Sequence, residues 1–183
     1  MQFQRVQIEG VRLVEPEPRA DERGLFARVY CAAEFHAEGI ENQFVQVNES
    51  FSPHAGTLRG LHLQVAPDGE AKLVRCIRGA AFDVLVDLRE RSPTFGQWFG
   101  AELTAESRRM MFVPRGCAHG YLTLQPDTQL IYFTSSPYRP ASERIVRWDD
   151  PYFAIRWPRQ PSILSEKDRD APDFDPDHHR SGY

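Results

Sequence analysis

Hydrophobic and polar positions alternate through much of the chain, and this pattern predicts many short β-strands. It is clearest at residues 82–88, where Phe, Val, Val and Leu occupy every second position. Further predicted strands span 24–30, 43–51, 72–78, 97–103, 109–113, 120–124 and 128–135. Turn-forming Pro, Gly and Asp separate these runs. So many strands, without helices between them, predict an all-β sandwich or jelly roll.

Helices are expected to be few and short. One is predicted at residues 32–38, closed by Gly39. From about residue 137 onward proline and charge increase, and we expect one or two further short helices there. The 183 residues suit a single domain that can bury a real core. Residues 173–183 are polar, and we expect this tail to fray.

Composition and charge argue against a nucleic-acid-binding, membrane or secreted protein. With a net charge of −4, no global field draws the chain to nucleic acid or to an anionic membrane. No apolar run approaches the ~20 residues that span a bilayer, and the first residues do not resemble a signal peptide. The cysteines (Cys31, Cys76 and Cys117) form no CxxC pair, which fits a reducing cytoplasm.

The segment 58–64 contains the first candidate for chemistry, His62. Strand alternation predicts two faces, one with Arg59, Leu61 and Leu63 and the other with Leu58, Gly60, His62 and Gln64. A His beside a Gln is unusual on a face that fills an apolar core. Taken alone, His62 is as readily interpreted as a hydrogen-bonded core histidine or a surface histidine as it is as a functional residue.

Two short motifs resemble those of the cupin superfamily. The first is Gly56, His62-x-Gln64, Glu70 and Gly79, and the second is Pro114-x-Gly116-x-x-His119. Gln64 stands where the superfamily pattern has a second histidine, so a metal cage would lose an imidazole. We therefore expect no metal cofactor. A metal-dependent cupin that uses His62, Glu70 and His119 is the alternative.

More segments narrow the resemblance to one family. The segments 21–24, 44–48, 58–64, 72–75, 86–89, 92–96, 118–120, 148–151 and 164–168 resemble the dTDP-4-dehydrorhamnose 3,5-epimerase family, in the same order. The resemblance runs from about residue 3 to residue 172. It implies a homodimeric, metal-independent cupin jelly roll without a cofactor. It also implies a nucleoside-diphosphate 4-keto-6-deoxyhexose as substrate, inverted at carbon 3, carbon 5 or both.

The resemblance also implies four catalytic roles. His62 matches the base that removes a proton beside the ketone, and Asp168 matches the aspartate that orients it. Lys72 matches the lysine near the enolate oxygen. Tyr132 matches the donor that returns a proton to the opposite face.

Binding residues carry over in the same way. Arg59 and Lys167 match positions near the diphosphate. The positions that line the sugar and phosphate pocket are Gln46, Asn48, His119, Tyr138 and Glu143. Arg23 and Phe26 match an N-terminal strand that reaches the site of the partner subunit. We interpret Asp83, Asp87 and Arg89 as structural.

Three positions depart from the family pattern. Arg28 replaces a glutamate that helps to hold the nucleotide, Phe133 replaces a common lysine, and Cys117 replaces a phenylalanine. The smaller Cys117 either leaves extra room in the pocket or is an ordinary core filler. From these departures we hypothesise that the proton-transfer residues are intact and that ligand recognition has changed. A nucleotide other than thymidine, as in a CDP- or GDP-linked substrate, and a sugar other than 4-keto-6-deoxyglucose therefore stay open as alternatives. A non-catalytic binding module is disfavoured, because a binder has no need for a base and an acid together.

Overall fold

The strands form two antiparallel sheets and one small hairpin in the computed structural model, which describes residues 1–41 and 43–183. The six-stranded sheet has the order β1 (Gln2–Arg5), β2 (Arg12–Glu15), β10 (Met110–Val113), β7 (Lys72–Arg78), β12 (Thr128–Thr134) and β5 (Gln46–Ser52). The five-stranded sheet has the order β13 (Glu143–Ile145), β6 (Leu58–Gln64), β11 (Cys117–Thr123), β8 (Ala80–Asp87) and β9 (Trp98–Thr104). The hairpin pairs β3 (Arg19–Asp21) with β4 (Gly24–Phe26).

The main hydrophobic core lies between the two sheets. Val74 and Leu130 enter it from the six-stranded sheet, and Leu85 and Cys117 from the five-stranded sheet. Each of these four side chains is at most 3% exposed. This face-to-face packing confirms the predicted all-β sandwich of the cupin type.

The outer face of each sheet is also covered in part. Helix α1 (Ala32–Ala37) packs Phe35 onto one end of the six-stranded sheet. Val84 and Val86 of β8 pack with Phe153 on the outer face of the five-stranded sheet. Because both faces of β8 meet apolar neighbours, the strand is buried along nearly its whole length.

Two predicted strands are shorter than expected. The strand predicted at 24–30 ends at Phe26, and the one predicted at 43–51 begins only at Gln46. The reason is an aromatic cluster: Tyr30 and Phe44 leave the strand direction to pack together at 5.3 Å between ring centroids. Both rings also approach Phe35 of α1.

A β-bulge corrects the predicted faces of β6. Tyr121 pairs with Arg59 and His119 pairs with His62, so three steps along β6 match two along β11. Arg59 and His62 therefore line the same cavity, although simple alternation places them on opposite faces. Glycine at position 60 permits the close approach of β6 to β11 at the bulge, since a Cβ on Gly60 would lie 2.6 Å from the Cα of Gly120.

The C-terminal third contains the expected short helices. A 3₁₀ turn spans Pro140–Ser142, and α2 spans Glu166–Arg169. The tail, predicted to fray, makes specific contacts: His179 is buried and its Nε2 lies 3.0 Å from the carbonyl oxygen of Ile145. Among the helices of the described residues, none has the length and apolar character that crossing a membrane requires.

Candidate active site

Two adjoining cavities lie between the sheets. The larger, of about 690 Å³, is lined by residues of β5, β7 and β12 on one side and of β6 and β11 on the other. The smaller, of about 360 Å³, extends from it towards β13. His62, Lys72 and Tyr132 line both cavities. The structure thus brings three of the four predicted catalytic residues to one place, and the fourth, Asp168, lines the larger cavity.

The strand register explains how these side chains meet. His62 pairs directly with His119 across β6 and β11. On the facing sheet Tyr132 pairs with Val74, two residues beyond Lys72 on β7, so Tyr132 and Lys72 point to the same side. The five-stranded sheet therefore supplies His62, and the six-stranded sheet supplies Lys72 and Tyr132.

His62 and Asp168 form a tight pair. The Nε2 atom of His62 lies 2.6 Å from Oδ1 of Asp168, whose side chain is only 4% exposed. Asp168 sits on α2, where the Ser165 hydroxyl accepts a hydrogen bond from its backbone N–H. The Gly60 N–H approaches the other carboxylate oxygen at 3.4 Å. The loop before α2 and the bulge of β6 thus hold the carboxylate against the imidazole.

The pKa of Asp168 is lowered from its ordinary value. Burial is the largest single effect and acts to raise it, but the hydrogen bond and the charge of His62, with contributions from Gly60 and Ser165, outweigh burial. Asp168 is therefore a carboxylate at neutral pH, able to orient and stabilise a charged imidazole.

Lys72 is buried rather than solvated. It is 8% exposed, and its Nζ lies 3.1 Å from Oε1 of Glu70. Glu70 lines the smaller cavity together with Lys72. A buried ammonium with one carboxylate partner can present positive charge to a ligand, although its burial costs stability.

Tyr132 lies half-buried between the two cavities. Burial raises the pKa of its phenol, and the negative charge of Glu70 raises it further, while Arg59 acts in the opposite direction. The hydroxyl therefore keeps its proton at neutral pH, as a proton donor requires.

A second histidine–carboxylate pair faces the larger cavity. His119 Nε2 lies 2.8 Å from Oδ1 of Asp83, which is fully buried, and the other oxygen of Asp83 has no partner among the described residues. We interpreted Asp83 from the sequence only as structural, and its contact with a cavity residue was missed. A signal existed, since Asp83 stands between Ala81 and Leu85, two inward-facing core positions.

Several predicted binding residues line one cavity or the other. The larger includes Arg59, His119 and Lys167, and the smaller includes Gln46, Asn48, Tyr138 and Glu143. The last two join Lys167 in a chain of contacts. The Tyr138 hydroxyl donates to Oε2 of Glu143 at 2.8 Å, and the same oxygen lies 2.5 Å from Lys167 Nζ.

Arg23 and Phe26 lie elsewhere. They belong to the β3–β4 hairpin, whose residues are all exposed, and Phe26 is 72% exposed. Arg23 pairs with Asp21 at 2.5 Å within the same hairpin. Neither residue lines the cavities that contain His62.

The three departures from the family pattern also lie outside these cavities. Phe133 packs on the outer face of the sheet against Tyr30 and Phe44. Cys117 fills the core between the sheets, where burial strongly raises the pKa of its thiol. Arg28 pairs with Glu34 of its own chain at 3.2 Å. Of the two interpretations of Cys117, the structure supports the core filler.

The alternative metal ligands are engaged elsewhere. Glu70 pairs with Lys72, His119 with Asp83, and His62 with Asp168. Across residues 1–41 and 43–183, no three His, Cys, Asp or Glu side chains are grouped as a metal site requires. The arrangement therefore does not fit the metal-dependent alternative.

Comparison with known proteins identifies the family. The profile of the family described as dTDP-4-dehydrorhamnose 3,5-epimerase matches residues 5–176. The chain is 44% identical over 173 residues to the dTDP-4-dehydrorhamnose 3,5-epimerase of Sinorhizobium fredii, covering 94% of this chain and 89% of that protein. It is 42% identical over 172 residues to the dTDP-4-dehydrorhamnose 3-epimerase of Streptomyces niveus, covering 93% and 83%.

A solved structure extends the similarity to three dimensions. The Bacillus anthracis dTDP-4-dehydrorhamnose 3,5-epimerase with TDP and PPi bound matches with a TM-score of 0.91 and 40% identity, covering 94% of this chain and 99% of that one. Matched over most of its length in sequence and in fold, the chain belongs to the dTDP-4-dehydrorhamnose 3,5-epimerase family.

Proposed function

We propose that the protein inverts carbon 3, carbon 5 or both of a dTDP-linked 4-keto-6-deoxyhexose, with His62 as base and Tyr132 as acid. The observation that carries the proposal is the placement of these two groups. His62, backed by Asp168, enters the cavity from one sheet, and Tyr132 enters it from the other. Family membership supports the reaction class, an isomerase acting on carbohydrates.

His62 acts through the ring nitrogen that Asp168 leaves free. Because Asp168 is ionised, it accepts a hydrogen bond from Nε2–H of His62. This fixes the neutral tautomer that has a lone pair on Nδ1. Nδ1 then takes the proton beside the sugar ketone, and the carboxylate stabilises the imidazolium that forms.

Lys72 stabilises the negative charge that develops on the ketone oxygen. Its ammonium is already fixed beside Glu70, so little reorganisation is needed when negative charge forms on that oxygen. Tyr132 then protonates the carbon from the face opposite His62, and this change of face inverts the centre. The raised pKa of Tyr132 keeps the donor protonated until this step.

The cationic residues of the larger cavity suit a nucleoside diphosphate. Arg59 and Lys167 supply positive charge for the phosphates. The Bacillus anthracis relative has TDP and PPi bound. The polar side chains of the smaller cavity (Gln46, Asn48, Tyr138 and Glu143) then line the sugar.

Exchange in deuterated water tests the proposal and its regiochemistry. With dTDP-4-keto-6-deoxyglucose we expect deuterium at carbon 3, at carbon 5 or at both, and His62→Asn should abolish incorporation. Unchanged exchange in His62→Asn would remove His62 as the base. Lack of incorporation by the wild-type protein with any 4-keto nucleotide sugar would contradict the epimerase proposal.

Parallel assays with dTDP-, CDP- and GDP-linked 4-keto sugars test the nucleotide. We expect the dTDP sugar to be turned over with the highest kcat/KM. A preference for the CDP or GDP sugar would contradict a dTDP-linked substrate and would show that nucleotide recognition has changed.

We also propose that the active form is a homodimer in which the β3–β4 hairpin completes the site of the partner subunit. The hairpin projects with its aromatic Phe26 exposed. Apolar side chains also lie exposed along edge strand β5 and nearby, namely Val45, Val47, Phe51 and Ile77. Exposed apolar side chains along a sheet edge suit a surface that another subunit covers.

Hybrid dimers test this arrangement. Subunits with His62→Asn and subunits with Phe26→Ala are each expected to have little activity. Mixed and re-associated, they should regain activity, because one site of each hybrid combines an intact His62 with an intact partner hairpin. Absence of recovery, with hybrids detected by mass, would contradict the shared site.

A further inference from the structure

Tyr121 is a cavity residue to which the proposed chemistry assigns no role. It lies on β11, two residues beyond His119, and lines the larger cavity together with His62 and Arg59. The side chain is 5% exposed. A buried phenol that borders a ligand cavity needs hydrogen-bond partners, and these indicate what it binds.

The partner of Tyr121 in the protein is a second hydroxyl. Ser50, on β5 of the facing sheet, places its Oγ 2.8 Å from the phenol oxygen. Two hydroxyls have two hydrogens, and their mutual bond uses one of them. The Ser52 hydroxyl also lies close enough to act on the phenol, but it completes no hydrogen bond of standard geometry to the described residues. The Tyr121–Ser50 pair therefore retains one O–H donor for a ligand in the cavity that both residues line.

The surroundings of Tyr121 favour an anionic acceptor. Arg59 is its direct strand partner, and the guanidinium acts to lower the pKa of the phenol. Burial is the larger effect and raises this pKa overall, so the group remains a neutral donor. A cation beside a neutral O–H is an arrangement suited to a phosphate oxygen.

The direction of the hydrogen bonds follows from acidity. A phenol is a far stronger acid than an alkyl hydroxyl, so its hydrogen goes to the more strongly accepting anion. Ser50 then donates to the phenol oxygen and holds it in place.

We propose that Tyr121, oriented by Ser50, donates a hydrogen bond to a phosphate oxygen of the bound nucleoside diphosphate beside Arg59. This inference rests on the proposed function, because it takes the nucleotide sugar as the ligand of the cavity. It adds a neutral donor to the charged contacts of Arg59 and Lys167.

Calorimetric binding of TDP tests the proposal directly. Tyr121→Phe removes only the hydroxyl, and we expect TDP to bind about tenfold more weakly, the loss typical of a hydrogen bond to a charged group. Ser50→Ala should weaken binding about threefold, since it removes the orientation but not the donor. Tyr152→Phe is the matched control, because Tyr152 is 60% exposed, lies outside the cavity and should leave the Kd unchanged.

Other results would overturn the proposal. An unchanged Kd in Tyr121→Phe, even with a lower melting temperature, would make the hydroxyl pair a structural tie between sheets. Weaker binding of the sugar nucleotide with unchanged binding of TDP would place the contact on the sugar. A larger effect from Ser50→Ala than from Tyr121→Phe would reverse the donor. Because TDP binding is measured without turnover, a failure of the epimerase proposal is distinguishable from a failure here.

Discussion

Replacing Asp168 by Asn is the sharpest test of the His62 pair. The substitution keeps the size and shape of the side chain and removes its charge. It also places an NH₂ group where Asp168 now accepts a hydrogen bond at 2.6 Å. The amide therefore favours the tautomer in which Nε2 of His62 accepts, and this leaves the hydrogen on Nδ1, the nitrogen proposed to act as base.

The size of the effect follows from the geometry. Unit charges about 4 Å apart attract by about 4 kcal/mol at the effective dielectric near a protein surface. The Asp168 side chain is 4% exposed but that of His62 is 33% exposed, so solvent screening reduces the stabilisation to about 3 kcal/mol. At 1.36 kcal/mol per factor of ten, we expect kcat to fall about a hundredfold.

Deuterium incorporation at saturating substrate measures this loss. Asp170→Asn is the matched control, since Asp170 is two residues away, is 70% exposed in its side chain and, among residues 1–41 and 43–183, forms a side-chain ion pair with Arg169 alone. A kcat for Asp168→Asn within threefold of wild type, with the fold intact by circular dichroism, would refute the assigned role of the carboxylate.

Three further predictions address the acid, the fold and the core. Tyr132→Phe should continue to exchange deuterium at the carbon that His62 deprotonates but should form inverted product at least a hundredfold more slowly. NMR of the product measures both rates. Equal loss of exchange and inversion would contradict a mechanism that uses both faces of the sugar. Asp87→Asn should lower the free energy of unfolding by about 3 kcal/mol at pH 7, because Asp87 is fully buried and accepts hydrogen bonds from Arg89, Ser92 and Thr94. Burial is the largest effect on the pKa of Asp87 and raises it, but these hydrogen bonds lower the pKa below the ordinary 3.8. The stabilisation is therefore complete above pH 3.8 and is lost as pH falls through the folded pKa. Urea denaturation should accordingly show that the difference in unfolding free energy between variant and wild type becomes smaller in acid. Cys117→Ala should destabilise the fold by about 1 kcal/mol without changing kcat/KM for the dTDP sugar, since Cys117 lies in the core; a changed preference among nucleotide sugars would contradict that placement.

Sequence periodicity predicted the central strands well for a physical reason. The strands β7, β8 and β12 have seven or eight residues, and their apolar positions meet a core on one or both faces. A strand whose positions do not alternate between buried and exposed gives no such signal. Strand β13 has three residues, all half-buried, and the hairpin strand β3 is fully exposed, so neither has an alternation to detect.

The site itself was only partly accessible to pattern reasoning. His62 and Asp168 are 106 residues apart in the chain. No local pattern predicts that they pair, and only the family resemblance implied it. The bulge at Gly60 was not predictable from alternation, because it depends on how closely β6 approaches Gly120 on β11. Arg59 was assigned to the wrong face for this reason alone.

The carboxylates behind the cavity argue against a simple binding pocket. His62, Lys72 and His119 each have one carboxylate partner, and the three partner side chains (Asp168, Glu70 and Asp83) are at most 13% exposed. Burying so many ionisable groups costs stability, and apolar residues would pack the same space at lower cost. Groups fixed in advance reorganise little when charge moves during a reaction, and a reaction that passes through an enolate moves charge. The sandwich supports the proposed mechanism in a second way, since a ligand held between the two sheets would present one face to His62 and the other to Tyr132, the geometry that the proposed inversion requires.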